Sequence, residues 1–257
     1  MKTYNNEKYI ISITSFPQRY HLCVKTIFNL LKYQTYKNFH LVLTLFKEDY
    51  EKLSEELRLF LDNDLIEVIV ADENLCPHLK YYCVMQKYKN LPIITLDDDR
   101  KYSNNIIEIL VRKYESLNYK SIICNVAPRM TKSGNHLNDA AKWCVGETRL
   151  RPNEKSYVAM AEGFGGVLYP PNCFEKFASI LEIKNILFHD DLYLKVLAIR
   201  NKVPVTQANS VWNYNVFGFD FIGANETSLY NHNHTNFDYR RKVTQLFEKD
   251  LLAGFKL

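Results

Sequence analysis

Apolar runs and helically spaced apolar residues alternate along the first part of the chain. Runs of β-branched and aliphatic residues without polar alternation are typical of strands that are buried on both faces of a sheet. Apolar residues that recur every three or four positions indicate amphipathic helices. Strands are predicted at residues 9–14, 40–46, 66–72 and 93–96, and helices at residues 21–33, about 50–61 and about 77–89. The alternation predicts an α/β fold with a doubly wound, mostly parallel sheet that is flanked by helices.

The fourth predicted strand runs directly into three carboxylates, Asp97, Asp98 and Asp99. Ligands of open α/β sheets bind at the carboxyl ends of strands, and adjacent carboxylates there repel each other unless a cation holds them together. Mg2+ prefers one or two protein carboxylates together with substrate phosphate oxygens. The triplet therefore indicates a metal-bound phosphorylated substrate. The alternative interpretation is helix capping, because a helical pattern begins just after Ser103.

Length, charge and cysteine usage exclude several classes of protein. The 257 residues suffice for one large α/β domain, or for one domain with a modest appendage. A net charge of +4 is too mild for nucleic-acid binding, which requires a clustered basic face. We expect no secretory signal, since the amino terminus is polar, and no stretch approaches the ~20 apolar residues of a membrane span. Irregularly spaced cysteines without a C-x-x-C pair are predicted to be reduced, cytosolic core residues. They are Cys23, Cys76, Cys83, Cys124, Cys144 and Cys173.

The glycine-rich phosphate loops of common nucleotide-binding folds are missing. Neither G-x-G-x-x-G nor G-x-x-x-x-G-K-[ST] follows the first predicted strand, which argues against dinucleotide enzymes and P-loop NTPases. Carboxylates at a strand end would then have to hold a phosphate through a metal ion.

The second half of the chain is less regular. A strand predicted at residues 121–125 is followed by a long stretch of mixed polarity, in which a functional loop or lid is expected. Gly163, Gly165 and Gly166 then lie between two apolar, strand-like pieces. Such glycines indicate either a close backbone approach to a ligand or a simple hairpin bend.

An acidic pair opens the next predicted helix. Asp190 and Asp191 follow His189 at its start, and capping explains one of the two acids. The pair also contains the best available general base in the chain.

The tail ends in a predicted amphipathic helix. Its apolar face is formed by Val243, Leu246, Phe247 and Leu251. The basic start of this helix allows either contact with a membrane or packing onto the domain, and packing is favoured.

The order of these motifs resembles the GT-A nucleotide-sugar glycosyltransferases. A Thr-Ser-x-Pro turn after the first strand, Asp72 after the third, "LDDD" after the fourth, a glycine-rich loop and an acidic pair opening a helix occur in that order, over roughly residues 8–207. The chain is most similar to the bacterial family 2 type of capsule and lipopolysaccharide enzymes, including a branch with an amino-terminal "SFPQR". The D-x-D element is the most specific part of the likeness. The resemblance implies one GT-A domain over residues 1–257, with a nucleotide-sugar-binding half (8–102), an acceptor and catalytic half (103–207) and a tail (208–257).

For the donor, the resemblance implies nucleoside contacts at Thr14, Ser15 and Arg19. It further implies contact between Asp72 and the base, and a place for Lys80 near the diphosphate. The Tyr-Asn that is usual in the first turn of family 2 is replaced by Phe16 and Pro17, so the sequence departs from the family pattern at the nucleoside contacts.

For the metal, the resemblance implies that Asp97 and Asp99 bind Mn2+ or Mg2+, while Asp98 points toward the ribose or the donor sugar. His232 or His234 is a further candidate ligand by the same likeness. An H-x-H pair in a loop is, however, more often solvated than metal-bound.

For the acceptor, the resemblance implies that Gly165 and Gly166 shape the cleft and that Asp190 or Asp191 is the catalytic base. The expected activity is metal-dependent transfer of a sugar from a nucleoside-diphosphate donor, with UDP favoured, to a saccharide or lipid-linked saccharide. The setting implied is bacterial surface polysaccharide biosynthesis, in the cytoplasm or at the inner face of the membrane. The absence of Q-x-x-R-W and of membrane helices favours single addition over processive synthesis, and an Asp base favours inversion of configuration.

Three alternatives are weighed against this expectation. A sugar-phosphate nucleotidyltransferase needs a glycine-rich loop after the first strand, and a haloacid-dehalogenase-type phosphatase needs an acidic first strand; the sequence has neither. A non-catalytic sugar- or nucleotide-binding module would not need the acid triplet.

Overall fold

The computed structural model describes residues 9–118, 120–139, 143, 150–151, 153–208, 218–224 and 237–257. Its strands in chain order are β1 (Tyr9–Thr14), β2 (Phe39–Phe46), β3 (Glu67–Ala71), β4 (Ile93–Thr95), β5 (Arg100–Lys101), β6 (Ile122–Cys124), β7 (Lys132–Ser133), β8 (His136–Leu137), β9 (Val167–Tyr169), β10 (Val205–Gln207) and β11 (Phe219–Asp220). Its helices are α1 (Tyr20–Tyr33), α2 (Lys47–Tyr50), α3 (Glu55–Asp62), α4 (Leu79–Lys87), α5 (Ile106–Ser116), α6 (Ile180–Asn185), α7 (Asp190–Arg200), α8 (Phe237–Leu246) and α9 (Glu248–Ala253).

The centre of the fold is a seven-stranded sheet in the order β10-β6-β9-β4-β1-β2-β3. Its strands run parallel except β9, which is antiparallel to both β4 and β6. The predicted α/β class with a mostly parallel sheet is confirmed. Of the two strand-like pieces predicted around the glycines, only the second forms a strand. The first makes an isolated bridge between Ala159 and Arg129.

Side chains of alternating strand residues pack on opposite faces of the sheet. In β1, Ile11 and Ile13 pack with the buried residues of α1, α3 and α5, whereas Ile10 packs against Val84 of α4. The larger cluster on the face of α4 also contains the buried residues of α7, α8 and α9. Apolar runs without polar alternation in the sequence thus correspond to strands that are covered on both faces.

The predicted second helix is in fact two short helices, α2 and α3. Ser54 separates them, and its side-chain oxygen accepts a hydrogen bond from the Leu57 backbone N–H at 3.3 Å. Serine is among the preferred N-cap residues because its oxygen satisfies an amide at the helix start. The apolar spacing continues across this break, which is why the pattern predicted one helix.

The terminal helix is likewise divided, into α8 and α9, which meet at Phe247. Val243, Phe247 and Leu251 are buried as predicted, but Leu246 is 56% exposed, so its placement on the apolar face was wrong. Leu246 is the last residue of α8, directly before the interruption at Phe247. Packing onto the domain is therefore the observed use of this segment.

Two small antiparallel sheets flank the central one. β5 pairs with β11, and the β7–β8 hairpin lies in the long insertion after β6.

Of the described cysteines, Cys23 and Cys124 are buried and the rest are half-buried, with no disulfide among them. No helix in the described part of the chain is long and apolar enough to cross a membrane.

Candidate active site

The carboxylate triplet lies at the carboxyl edge of the sheet, where β4 ends beside β1. Asp98 is buried, whereas the side chain of Asp97 is 28% exposed. Ser15, which follows β1, donates a hydrogen bond from Oγ to Asp98 Oδ2 at 2.5 Å. Parallel pairing of β1 with β4 brings these two strand ends together. The location agrees with the rule that ligands bind at the carboxyl ends of strands.

The guanidinium of Arg19 joins two of the three carboxylates. Its Nη2 lies 2.8 Å from Asp98 Oδ1 and 2.5 Å from Asp99 Oδ2, and the side chain is buried. Burial disfavours the charged guanidinium, but the nearby carboxylates outweigh burial and raise the pKa of Arg19. Burial raises the pKa of Asp98 to about 7, although the charge of Arg19 opposes this shift. A short 3-10 turn that begins at Pro17 positions Arg19 directly before α1.

Two further residues hold the backbone of the triplet. Thr26 of α1 has its hydroxyl 2.9 Å from the Asp98 carbonyl oxygen and 3.0 Å from that of Arg100. The Tyr102 hydroxyl accepts a hydrogen bond from the Asp97 backbone N–H at 2.8 Å. Neither residue was predicted from the sequence. A polar Thr26 on the buried side of an amphipathic helix was the available signal.

Lys80 links the two halves of the chain. Its Nζ lies 3.0 Å from Asp97 Oδ1 and 2.8 Å from Asp190 Oδ2, and the residue is only 5% exposed. Burial disfavours the charged amine, yet Asp190 and Asp97 together raise the pKa of Lys80 well above its usual range. The lysine therefore stays charged and connects the end of β4 to the start of α7.

The two acids that open α7 have opposite properties. Burial works against ionisation of Asp190, but the charge of Lys80 prevails and lowers the pKa of that carboxyl. Asp191 accepts hydrogen bonds from the Gly163 backbone N–H at both carboxylate oxygens, each at 3.1 Å. Burial and the neighbouring Asp190 nevertheless raise the pKa of Asp191 well above the usual carboxyl range.

Gly163 is the glycine that approaches the charged groups. A Cβ at this position would lie 2.9 Å from Lys80 Nζ and 3.0 Å from Asp191 Oδ1, so a larger residue would displace one of them. Gly165 and Gly166, the predicted acceptor glycines, are buried and pack against Val126 and Leu96. The role of Gly163 was missed because sequence alone does not rank glycines within one loop.

The remaining predicted residues lie elsewhere. The Thr14 hydroxyl donates to the Thr44 carbonyl oxygen at 2.8 Å and thereby joins β1 to β2. Asp72 is exposed at the end of β3, an outermost strand of the sheet. His232 and His234 lie outside the described residues. The connected site thus contains Ser15, Arg19, Lys80, Asp97, Asp98, Asp99, Asp190, Asp191 and Gly163.

Asp97 and Asp99 could supply two carboxylate ligands to a divalent ion. Within the described chain, Lys80 contacts one oxygen of Asp97, Arg19 contacts one oxygen of Asp99, and the second oxygen of each carboxylate has no partner. Among the described residues, four of the five carboxylates of the site form ion pairs, and Arg19 and Lys80 are the cations of those pairs. No group of three or more His, Cys, Asp or Glu side chains among the described residues could hold a metal. Substrate oxygens would have to complete the coordination, as they commonly do for Mg2+.

The seven-stranded, mostly parallel sheet with its flanking helices is a GT-A-like α/β fold. No protein-family model matches the chain, and no curated protein matches it.

The crystal structure of S. aureus TarS shares the fold, with a TM-score of 0.53 and 8% sequence identity over 84% of this chain. The match covers 37% of the TarS chain, so the present chain spans little more than a third of that structure. A crystal structure of S. aureus TarS 1-349 in complex with UDP has a TM-score of 0.46 and 8% identity, covering 77% of this chain and 57% of that one. At 8% identity the similarity is one of fold.

Proposed function

We propose that this chain is a glycosyltransferase that moves a sugar from a nucleoside diphosphate to a saccharide hydroxyl. The observation that carries the proposal is the double contact of Lys80. The buried amine of Lys80 contacts both Asp97 and Asp190. Asp97 belongs to a carboxylate cluster that would suit a diphosphate-bound metal. Asp190 is next to Asp191, the carboxyl whose pKa is raised. A donor site and a proton acceptor therefore lie side by side at one edge of the sheet. The sequence resemblance favours UDP as the nucleotide and bacterial surface polysaccharide as the product.

The donor half of the proposed site is organised before a ligand arrives. Asp97 and Asp99 would hold Mn2+ or Mg2+, which as a Lewis acid neutralises the charge that develops on a departing diphosphate. Ser15 and Arg19 fix the orientation of Asp98 and Asp99 through the contacts at 2.5–2.8 Å. Groups that are already oriented need no rearrangement when charge develops, which is the main source of electrostatic catalysis.

Asp191 is the proposed base, in preference to Asp190. A general base works best when its pKa lies near the operating pH. The ion pair with Lys80 lowers the pKa of Asp190, whereas burial and Asp190 raise the pKa of Asp191. In an inverting transfer, Asp191 takes the proton of the acceptor hydroxyl while that oxygen bonds to the anomeric carbon. The bond from that carbon to the diphosphate oxygen breaks at the same time, and its electron pair leaves with the nucleotide.

Calorimetry of nucleotide binding tests the proposal. UDP, GDP, CMP and dTDP are titrated with and without Mn2+ into the wild type and into Asp97→Asn/Asp99→Asn. We expect one nucleotide to bind in a metal-dependent manner and the double variant to lose that binding. The matched control is Glu55→Gln/Glu56→Gln, which removes two exposed negative charges from α3 and should bind like the wild type.

Absence of nucleotide binding under every condition would contradict the proposal. The carboxylates would then serve structural roles, and the alternative of a sugar-binding module would become the leading interpretation. Circular dichroism of each variant separates loss of a ligand site from loss of the fold.

A further inference from the structure

The solvent-facing side of α1 carries basic and aromatic side chains in alternation. His21, Lys25, Phe28 and Lys32 are spaced four, three and four residues apart, so they lie on one face of the helix. All four are exposed, and Phe28 retains 46% of its accessible surface. No acidic residue occurs between Glu7 and Glu48 in the sequence. The face therefore combines positive charge with exposed apolar area.

The turn after β11 extends this face at one end. Lys25 Nζ lies 5.7 Å from the centre of the Phe221 ring, which brings the turn against α1. Ile222, at the tip of the turn, is 99% exposed, and Phe219 is 57% exposed. Phe219 pairs across the small sheet with Lys101, another exposed cation.

The end of α1 extends the face on the other side. Lys32 Nζ lies 5.0 Å from the centre of the Phe28 ring and 5.2 Å from that of Tyr33, which is 44% exposed. Lys37 is exposed beyond the helix and donates to the Leu31 carbonyl oxygen at 3.0 Å. The whole surface is called the basic-aromatic stripe and consists of His21, Lys25, Phe28, Lys32, Tyr33, Lys37, Lys101, Phe219 and Ile222.

Nearby acids do not cancel its charge. Glu108 of α5 accepts a hydrogen bond from Thr35 and pairs with Arg112 at 2.5 Å. Asp220 of β11 pairs with Arg100. Each of these two acids is thus paired with an arginine of its own, which reduces its ability to neutralise the lysines of the stripe.

We propose that the basic-aromatic stripe docks on the surface of an anionic lipid bilayer. Exposed aromatic and aliphatic side chains insert at the headgroup boundary, and lysines beside them are attracted to anionic lipids. A polynucleotide would use the lysines but would leave Ile222 without an apolar environment. A second copy of the stripe would bring like charges face to face, which is unfavourable. The bilayer is the occupant that uses both the charge and the apolar area.

Docking in this way sets the orientation of the candidate active site. α1 begins directly after Arg19, and β5 begins directly after Asp99, so the stripe adjoins the carboxylate cluster. A docked stripe would hold the carboxylate cluster beside the bilayer surface, so that an acceptor saccharide carried on a lipid would suit the site. This consequence rests on the proposed function, but the docking itself does not.

Vesicle flotation tests the docking on the full chain. The probes are vesicles of phosphatidylcholine alone and vesicles that also contain phosphatidylglycerol. We expect binding to the anionic vesicles only. In Lys25→Glu/Lys32→Glu the partition coefficient should fall by at least about 25-fold, since each lysine near such a surface contributes roughly a factor of five. Lys120→Glu/Lys155→Glu, which changes the net charge equally at the opposite edge of the sheet, should bind like the wild type.

A second variant tests the apolar part of the stripe. Phe28→Ser/Ile222→Ser should bind anionic vesicles more weakly even at high salt, where the contribution of the lysines is screened. All substituted positions are exposed, so thermal melting should be unchanged in every variant.

Wild-type binding to neither vesicle, or equal binding of both stripe variants and the wild type, would overturn the proposal. Binding to RNA without binding to vesicles would also overturn it. None of these results depends on nucleotide binding, so docking can fail while the proposed activity stands.

Discussion

Two almost fully buried lysines of this protein have opposite electrostatic properties. Lys80 contacts Asp97 and Asp190, and these carboxylates keep it charged. Lys195, on α7 one turn after Asp191, is 2% exposed, and its Nζ has no hydrogen-bond partner among the residues that the structure describes. Burial without a partner lowers the pKa of Lys195 to about 7. An unpaired buried amine costs stability whenever it is charged.

Substitution of Lys195 by Met should stabilise the protein. Because the folded state lowers the pKa of Lys195, the unfolded chain binds more protons between about pH 7 and pH 10, and wild-type stability rises over that range. Lys195→Met does not bury a charged amine. The free energy of unfolding of the variant should therefore exceed that of the wild type most at and below pH 7, on the order of 1–3 kcal/mol, and the difference should shrink toward pH 10. Guanidinium unfolding at pH 6 and pH 9.5 measures both values. Lys249→Met, an exposed lysine of α9, is the control and should change little. Equal effects of both substitutions at the two pH values would contradict the account.

Substitution of Asp191 and substitution of Asp190 should affect the pH–rate profile differently. We expect Asp191→Asn to lower kcat by about 10²- to 10⁴-fold and to abolish the acidic limb of the pH–rate profile, because the proton acceptor is lost. Asp190→Asn should retain that limb. Its main effect should be on stability, since it deprives buried Lys80 of one carboxylate, and breaking a buried ion pair costs about 3–5 kcal/mol. Steady-state kinetics across pH, with denaturant unfolding of each variant, make the measurement. Full activity of Asp191→Asn would favour a retaining enzyme without this base.

At the scale of elements, the carboxyl-terminal helices are anchored on α7. Arg200 pairs with Asp250 of α9 at 2.9 Å and with Glu182 of α6 at 2.9 Å. The Phe247 ring lies 5.7 Å from that of Tyr193, centre to centre. Arg200 and Tyr193 belong to the same helix that presents Asp190 and Asp191, so the tail supports the back of the candidate site.

Truncation of Phe247 should therefore destabilise the fold strongly. Phe247 is 4% exposed within the main cluster, and Phe→Ala in a core costs about 3–5 kcal/mol. Leu246→Ala is the neighbouring control. Leu246 is 56% exposed and should change the free energy of unfolding by less than about 0.5 kcal/mol. Chemical denaturation distinguishes the two, and a comparable loss in both would mean that the helix continues through Phe247.

Strands and helices were predictable where local pattern and tertiary burial agree. β1 was predicted at its observed bounds, because the segment from Tyr9 to Thr14 is aromatic or β-branched at every position except Ser12. The direction of β9 was not predictable, since three apolar residues carry no information about the neighbours with which they pair. The breaks at Ser54 and Phe247 were missed because apolar spacing persists through both.

At the scale of the whole molecule, the sequence identified most residues of the candidate site but not their partners. The triplet, Lys80 and the Asp190–Asp191 pair were all recognised, yet the contact between Lys80 and Asp190 depends on how α4 and α7 pack onto the sheet. The same packing places Gly163, and not Gly165 or Gly166, against Lys80 and Asp191. It also lowers the pKa of Asp190 and raises that of Asp191. Pairwise geometry of this kind arises only once distant segments have folded together.

The antiparallel strand β9 also constrains the order in which the chain can fold. β4 and β6 are not neighbours in the sheet; β9 lies between them and pairs with both. Strands β1 to β4 can assemble from the first part of the nascent chain, but β6 and β10 cannot join the sheet until residues 167–169 have been synthesised. Until then, one side of β4 is an unpaired apolar edge, the kind of template on which chains aggregate. A ribosome stalled before Val167 would hold a four-stranded intermediate whose unpaired β4 edge and carboxylate triplet are open to solvent and to chaperones.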